Sequence, residues 1–186
     1  LSRPVRMAYF GRLAEHKNVS HLVAEWEQFA QSGDTLDVWG HGDQEAPLRA
    51  QIATAGLADK IAIKGRYPDG SAYIDLLQGY DVTLLPTVGE EGAPLVLLES
   101  MACGVPFVAN GMGGIPDYAN LDSAITSGDI QEFTPAVRKI LARLRAGTID
   151  RARLQRHYRS KFSTSVLTDR WETFLSDTIA GKPPTP

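Results

Sequence analysis

The sequence predicts an α/β protein in which a mainly parallel sheet of about six strands carries helices on both faces. Three observations predict it. Short apolar and aromatic runs alternate with segments whose apolar residues recur at helical spacing. Glycine clusters close several of the strand-like runs, where the chain must turn. The 186 residues are enough to bury one domain's core and too few for two ordinary domains.

The elements follow in order. Residues 5–10 read as a first strand, ended by Gly11. A helix opens at Asn18 or Ser20 and turns Leu22, Val23, Trp26 and Phe29 to the core. Residues 36–39 form a second strand, closed by Gly40-His41-Gly42. Residues 45–55 are helical, 61–63 a short third strand, 72–77 a short helix and 81–85 a fourth strand. Pro94 suits the first position of the next helix, where its missing N–H costs nothing. That helix presents Leu95, Leu98, Met101 and Ala102 as its apolar face. Residues 107–109 are a further strand. Helices over 129–146, 150–162 and 166–179 complete the domain, and 181–186 are expected to be a disordered tail. Right-handed crossovers make this a Rossmann-like three-layer α/β/α arrangement.

Bulk composition removes several function classes. A net charge of −3 gives no reason to expect nucleic acid. The single cysteine, Cys103, rules out an internal disulfide framework and fits a reducing, cytoplasmic compartment. No apolar run approaches the roughly 18 residues that span a membrane. The chain starts without Met and enters a strand almost at once, so an excised piece of a longer protein is expected. Between Arg138 and Lys161 the chain is rich in arginine and lysine, with Asp150 as its only acid. Two readings stand for this stretch: solvated helices, or peripheral contact with the inner face of an anionic membrane.

The richest stretch is 86–116. It holds Glu91 and Glu99, eight residues apart, a proline-started helix and the glycines Gly111, Gly113 and Gly114. The loop amides of Gly92 and Ala93 before Pro94, the amides of the first turn from Leu95, and the helix dipole make an anion site. Glu99, one turn deeper, is suited to accept hydrogen bonds from a vicinal diol such as a ribose. Glu91, farther out, is suited to a sugar beyond the phosphates. Arg12 and Lys17 lie in the loop after the first strand, a forked cation and a point charge such as a diphosphate needs. Gly40 and Gly42 read as permitting a tight turn and close approach of backbone to a ligand. The histidines His16, His21, His41 and His157 show no metal-ligand spacing. A glycosidase pair of carboxylates would leave the basic residues without a use. A nicotinamide site would need its glycine fingerprint after the first strand, and Glu45 stands where the third glycine belongs.

Four motifs, covering nearly the whole chain in order, then make it resemble the C-terminal, donor-binding domain of family 4 retaining glycosyltransferases. They are F-G-R-L-x-x-x-K at 10–17, V-W-G-H-G at 38–42, E-x7-E from Glu91 to Glu99 within E-G-A-P-L-V-L-L-E-S-M-A-C-G-V-P, and G-G-I-P at 113–116. The resemblance implies one half of a GT-B fold over residues 1–180, with an N-terminal acceptor domain absent from this chain. It implies hexose transfer from a UDP-, GDP- or ADP-sugar with retention of configuration, and no cofactor or metal. By resemblance, Arg12 and Lys17 stabilise the leaving diphosphate and Glu91 contacts sugar hydroxyls, which makes these three the expected catalytic residues. Glu99 holds the ribose, Gly11, Gly40 and Gly42 line the donor site, and the backbone at 92–95 touches sugar and phosphate. The loop Gly65-Arg66-Tyr67 lies near the base. The acceptor, a glycan, lipid or small molecule, would be held by the other domain, against which Trp171 and Phe174 would partly pack. The isolated domain is expected to bind donor without transferring it. A regulatory nucleotide-binding module without catalysis is the alternative. Ala93 departs from a larger residue usual in the family, and Asn110 from an acidic or hydroxyl one.

Overall fold

A computed structural model describes residues 3–181. Six strands form one sheet, β1 (Arg6–Phe10), β2 (Thr35–Trp39), β3 (Ile61–Gly65), β4 (Val82–Leu85), β5 (Phe107–Ala109) and β6 (Ala124–Ile125), in the order β3-β2-β1-β4-β5-β6. All five pairings are parallel. The order reverses between β1 and β4, and such reversals open a crevice at the carboxyl ends of the strands.

Parallel strands covered on both faces read as unbroken apolar runs, and β4 is buried at every position. In β1, Met7 and Tyr9 join the larger core with Leu22 and Trp26, while Ala8 and Phe10 turn to a second cluster with Leu77 and Tyr80. The helices are α1 (Val19–Ala24), α2 (Trp26–Phe29), α3 (Glu45–Thr54), α4 (Gly70–Gln78), α5 (Leu95–Cys103), α6 (Phe133–Arg145), α7 (Arg151–Lys161) and α8 (Thr164–Ile179). The helix expected to run through Trp26 is broken at Glu25, whose backbone leaves helical geometry and splits it into α1 and α2. β6 has only two residues, too short to show a period in the sequence, and adds a strand to those expected one by one. The expected tail, apart from Gly181, lies outside the described residues.

The basic segment has a structural use. Asp34, Asp81 and Asp122 are buried just before β2, β4 and β6, at the amino edge of the sheet. Arg145 pairs with Asp34, Arg3 and Arg151 with Asp81, and Arg143 and Arg153 with Asp122. Each aspartate also accepts a backbone amide: Val5 to Asp34 at 2.8 Å, Arg6 to Asp81 at 2.9 Å and Asp150 to Asp122 at 3.0 Å. Four of the arginines counted in the basic stretch are therefore committed to interior carboxylates, leaving fewer charges for an anionic membrane than the sequence suggests.

This arrangement sets a pH dependence. Burial opposes ionisation of Asp122, but the Arg153 hydrogen bond, the Asp150 amide and the charges of Arg153 and Arg143 outweigh it and hold the carboxyl below its usual range. A carboxyl depressed in the folded state stabilises above its unfolded value and loses that contribution as pH falls through the folded one. Asp122→Asn is expected to cost about 1.5–3 kcal/mol at pH 7, the scale of hydrogen bonds to a charged group. The gap to the parent should begin to narrow as pH falls below about 4, where the unfolded carboxyl protonates, and close once the folded carboxyl protonates at lower pH. Urea unfolding at the two pH values checks both.

Helix α8 has no buried residue. Trp171 is 62% exposed and meets Phe174 edge-on at 5.8 Å. With Leu167 and Arg170 they line an open groove of about 300 Å³. No described helix is long and apolar enough to cross a membrane.

Candidate donor site at the switch point

The loops after β1 and β4 meet at the crevice. After β1 the chain runs through Gly11 and Arg12 to a 3-10 turn at Glu15–Lys17. Arg12 is exposed, and the buried Tyr9 hydroxyl donates to its carbonyl at 2.8 Å. Burial raises that phenol far above its ordinary value, so it remains a donor. Lys17 forms an ion pair with Glu91 from the β4 loop. The Val88 amide donates to the His16 carbonyl at 2.9 Å, tying the loops through backbone as well. The Lys17 ammonium is pulled below its ordinary value, first by burial and then by Arg12. An anion against it opposes both effects, and Glu91 supplies one here.

Glu91 stands on a backbone platform. The Gly114 amide donates to the Glu91 carbonyl at 2.8 Å, and a Cβ on Gly113 would lie 2.0 Å from that same oxygen. Beneath it Asn110 is fully buried. Its amide donates to the carbonyls of Thr87 at 2.9 Å and Gly128 at 3.1 Å, and its oxygen accepts from the Thr126 hydroxyl at 2.6 Å. This accounts for the departure at position 110: an ionised acid could not donate to two carbonyls.

Helix α5 begins one residue later than its sequence suggests. Pro94 is the N-cap, with φ −66° and ψ 105°, and no side chain caps the free amides of the first turn. Gly92 and Ala93 are exposed beside them, and space around Gly92 is open. The buried face is Leu97, Ser100 and Met101, with Leu98 partly buried against the core; of the expected Leu95, Leu98, Met101 and Ala102, Leu95 is corrected, being 64% exposed. Leu95 lies in the first turn, next to the open loop, with no core above it. Glu99 is half-buried, and its Oε2 accepts from the Tyr73 hydroxyl of α4 at 2.8 Å.

Three loops enclose a cavity of about 400 Å³: Gly11 and Arg12 after β1, Gly40 and His41 after β2, Arg66 and Tyr67 after β3. Arg66 reaches His41 Nε2 at 3.4 Å. Gly40 lines this cavity, and both Gly40 and Gly42 also make room for the chain's own backbone. A Cβ on Gly40 would lie 1.8 Å from the Gly11 carbonyl oxygen, and one on Gly42 2.2 Å from that of Leu13. Those glycines accommodate the chain's own first loop, which they press into place.

The structure thus brings Arg12, Lys17, Glu91 and the start of α5 to one crevice, with Glu99 on the same helix and Arg66 on the cavity wall. Sequence reasoning passes over Tyr73 and the clamp made by Asn110. Tyr73 falls within an expected helix, but its partner Glu99 is 26 positions away, and only the pairing of α4 with α5 joins them. Among the described residues no group of three or more His, Cys, Asp or Glu is placed to hold a metal ion.

A family profile described as glycosyl transferases group 1 matches residues 4–143. The chain belongs to the group 1 glycosyltransferases. Among curated proteins it is 32% identical over 154 residues to 2-deoxystreptamine glucosyltransferase from Streptomyces kanamyceticus, covering 76% of this chain and 39% of that protein. It is 32% identical over 162 residues to the amylovoran biosynthesis glycosyltransferase AmsK of Erwinia amylovora, covering 81% and 38%. This group 1 glycosyltransferase chain therefore spans about two fifths of the length of those relatives. Among solved structures, Anabaena HepE in complex with UDP and glucose superposes with a TM-score of 0.80 at 20% identity, over 95% of this chain and 49% of that one. That likeness establishes the shared GT-B-type half.

Proposed function

We propose that the chain is the donor-binding half of a retaining, family 4-type hexosyltransferase that takes a sugar from a nucleoside diphosphate. The observation that carries the reading is the meeting of Arg12, Lys17, Glu91 and the uncapped α5 start at the sheet's switch point. In this reading the diphosphate lies against Arg12, Lys17 and the amides of Gly92, Ala93 and Leu95. The ribose diol reaches Glu99, the hexose reaches Glu91, and the base enters the cavity walled by Arg66 and Tyr67. Lys17 then turns from Glu91 to the phosphates, which frees the carboxylate for sugar hydroxyls. The barrier is departure of a diphosphate, so cations and amides placed beforehand, where charge develops, supply most of the assistance. No metal is required for that charge stabilisation.

Relatives named as glucosyl and N-acetylglucosaminyl transferases, and neighbours bound to UDP or UDP-glucose, support a nucleotide-sugar donor. The acceptor side, a glycan, lipid or small molecule, belongs in this reading to a second domain that packs on the exposed Trp171–Phe174 groove of α8. A cytoplasmic setting goes with the nucleotide-sugar supply.

Titration calorimetry of this chain with UDP, GDP, ADP and NAD tests the reading. One nucleoside diphosphate is expected to bind, and Glu99→Ala to weaken it by about 1–3 kcal/mol, the usual cost of a lost charged hydrogen-bond partner. Binding of NAD with no nucleoside diphosphate bound would overturn it.

A further inference from the structure

Glu99 does not stand free. Tyr73, from α4, donates its hydroxyl to Glu99 Oε2 at 2.8 Å. The Tyr73 ring is itself held: it meets Phe10 edge-on at 5.4 Å and Tyr67 at 5.1 Å. Phe10 is in turn stacked on Trp39 at 6.3 Å and edge-on to Tyr80 at 5.8 Å. Trp39 donates to the Tyr80 hydroxyl at 2.7 Å, and that hydroxyl donates to Asp37 at 2.8 Å. The chain of contacts therefore runs from the ends of β1 and β2 to one oxygen of one carboxylate.

The terminal torsion of a glutamate is broad, so an unpartnered carboxylate presents its oxygens over a range of directions. A rigid phenol donor removes that freedom. It occupies Oε2 and leaves Oε1 to accept from a diol. Burial and then the Glu99 bond raise the Tyr73 phenol far above its ordinary value, so it stays protonated and donating. We propose that Tyr73 is a positioning residue that orients Glu99 toward the ribose hydroxyls and thereby sets the preference for ribo- over deoxyribonucleotides. This rests on the reading of Glu99 as the ribose-holding residue.

The test compares affinities of this chain for UDP, GDP and ADP with those for the 2′-deoxy and 3′-deoxy forms. It uses the parent, Tyr73→Phe, Tyr73→Leu and Glu99→Ala. Because Glu99 is half-buried, water can replace the phenol, and Tyr73→Phe is expected to fold with an unchanged circular dichroism spectrum. The parent should prefer the ribonucleotide by about tenfold or more, since a site built around a hydroxyl rejects the analogue lacking it. Glu99→Ala should abolish the preference. Tyr73→Phe should reduce it about three- to tenfold, with a smaller loss for the deoxy forms, which keep one hydroxyl, a change of ratio that loosened packing alone would not produce. Tyr73→Phe at the parent ratio with Tyr73→Leu reduced would place the effect in the ring's packing and overturn the proposal. A parent without ribo preference, or a Glu99→Ala variant that keeps it, would instead remove the ribose reading of Glu99 itself.

Discussion

Lys17→Ala is expected to weaken nucleoside-diphosphate binding by about a hundredfold, or about 2.7 kcal/mol, the scale of a lost charge-assisted hydrogen bond. Two effects combine. The ammonium proposed to hold the diphosphate disappears. Its ion-pair partner Glu91, only 9% exposed, is then left as an uncompensated negative charge beside the phosphates. Burying one member of a pair without the other is costly, and here the ligand would share that cost. Adding Glu91→Gln to Lys17→Ala removes the second effect, so the double variant should bind about tenfold more tightly than Lys17→Ala alone. Titration with the nucleoside diphosphate that binds and with its nucleoside separates phosphate from base: the loss belongs to the diphosphate, and the nucleoside should bind both proteins equally. Equal affinity of parent and Lys17→Ala for that nucleoside diphosphate would sink the diphosphate role.

The second large effect is structural. Gly113→Ala is expected to cost about 2–4 kcal/mol and to lower the melting temperature by about 5–15 °C in a domain of this size. Gly113 has φ +54°, which an alanine adopts with strain. Its Cβ would also stand 2.0 Å from the Glu91 carbonyl oxygen and 2.9 Å from the carbonyl carbon, both rigid backbone. The neighbouring Gly114 amide is bonded to that same oxygen, so the two loops cannot part without losing the bond. Gly147 is the control: φ is +68° and no atom lies within 4 Å of where an alanine methyl would sit, so Gly147→Ala carries the left-handed strain alone, about 1–2 kcal/mol. Calorimetric melting of both variants decides it. A Gly113→Ala loss no larger than that of Gly147→Ala would mean that the loops separate freely.

The fold is readable because buried parallel strands and amphipathic helices keep different periods, and glycine marks the joints between them. Arg12, Lys17, Glu91 and Glu99 can be singled out because F-G-R-L-x-x-x-K and E-x7-E place them at fixed spacings beside a strand end and a helix start. What stays hidden depends on distance along the chain. The two residues of β6 show no pattern of their own and exist as a strand because Val108 and Ala109 pair with them. Gly40 declares that something comes close, yet nothing local says that this something is the Gly11 carbonyl. Asp34, Asp81 and Asp122 look like ordinary loop acids until arginines from far along the chain arrive.

Those three aspartates lie at the opposite rim of the sheet from the ligand crevice. The apolar length of the strands thus separates the ion pairs that fasten the sheet from the charges of the proposed donor site. Substitutions in the loops of the proposed donor rim should therefore leave the fastenings that keep the strands in order undisturbed. Competing phosphate in solution would likewise occupy one rim and leave the other untouched.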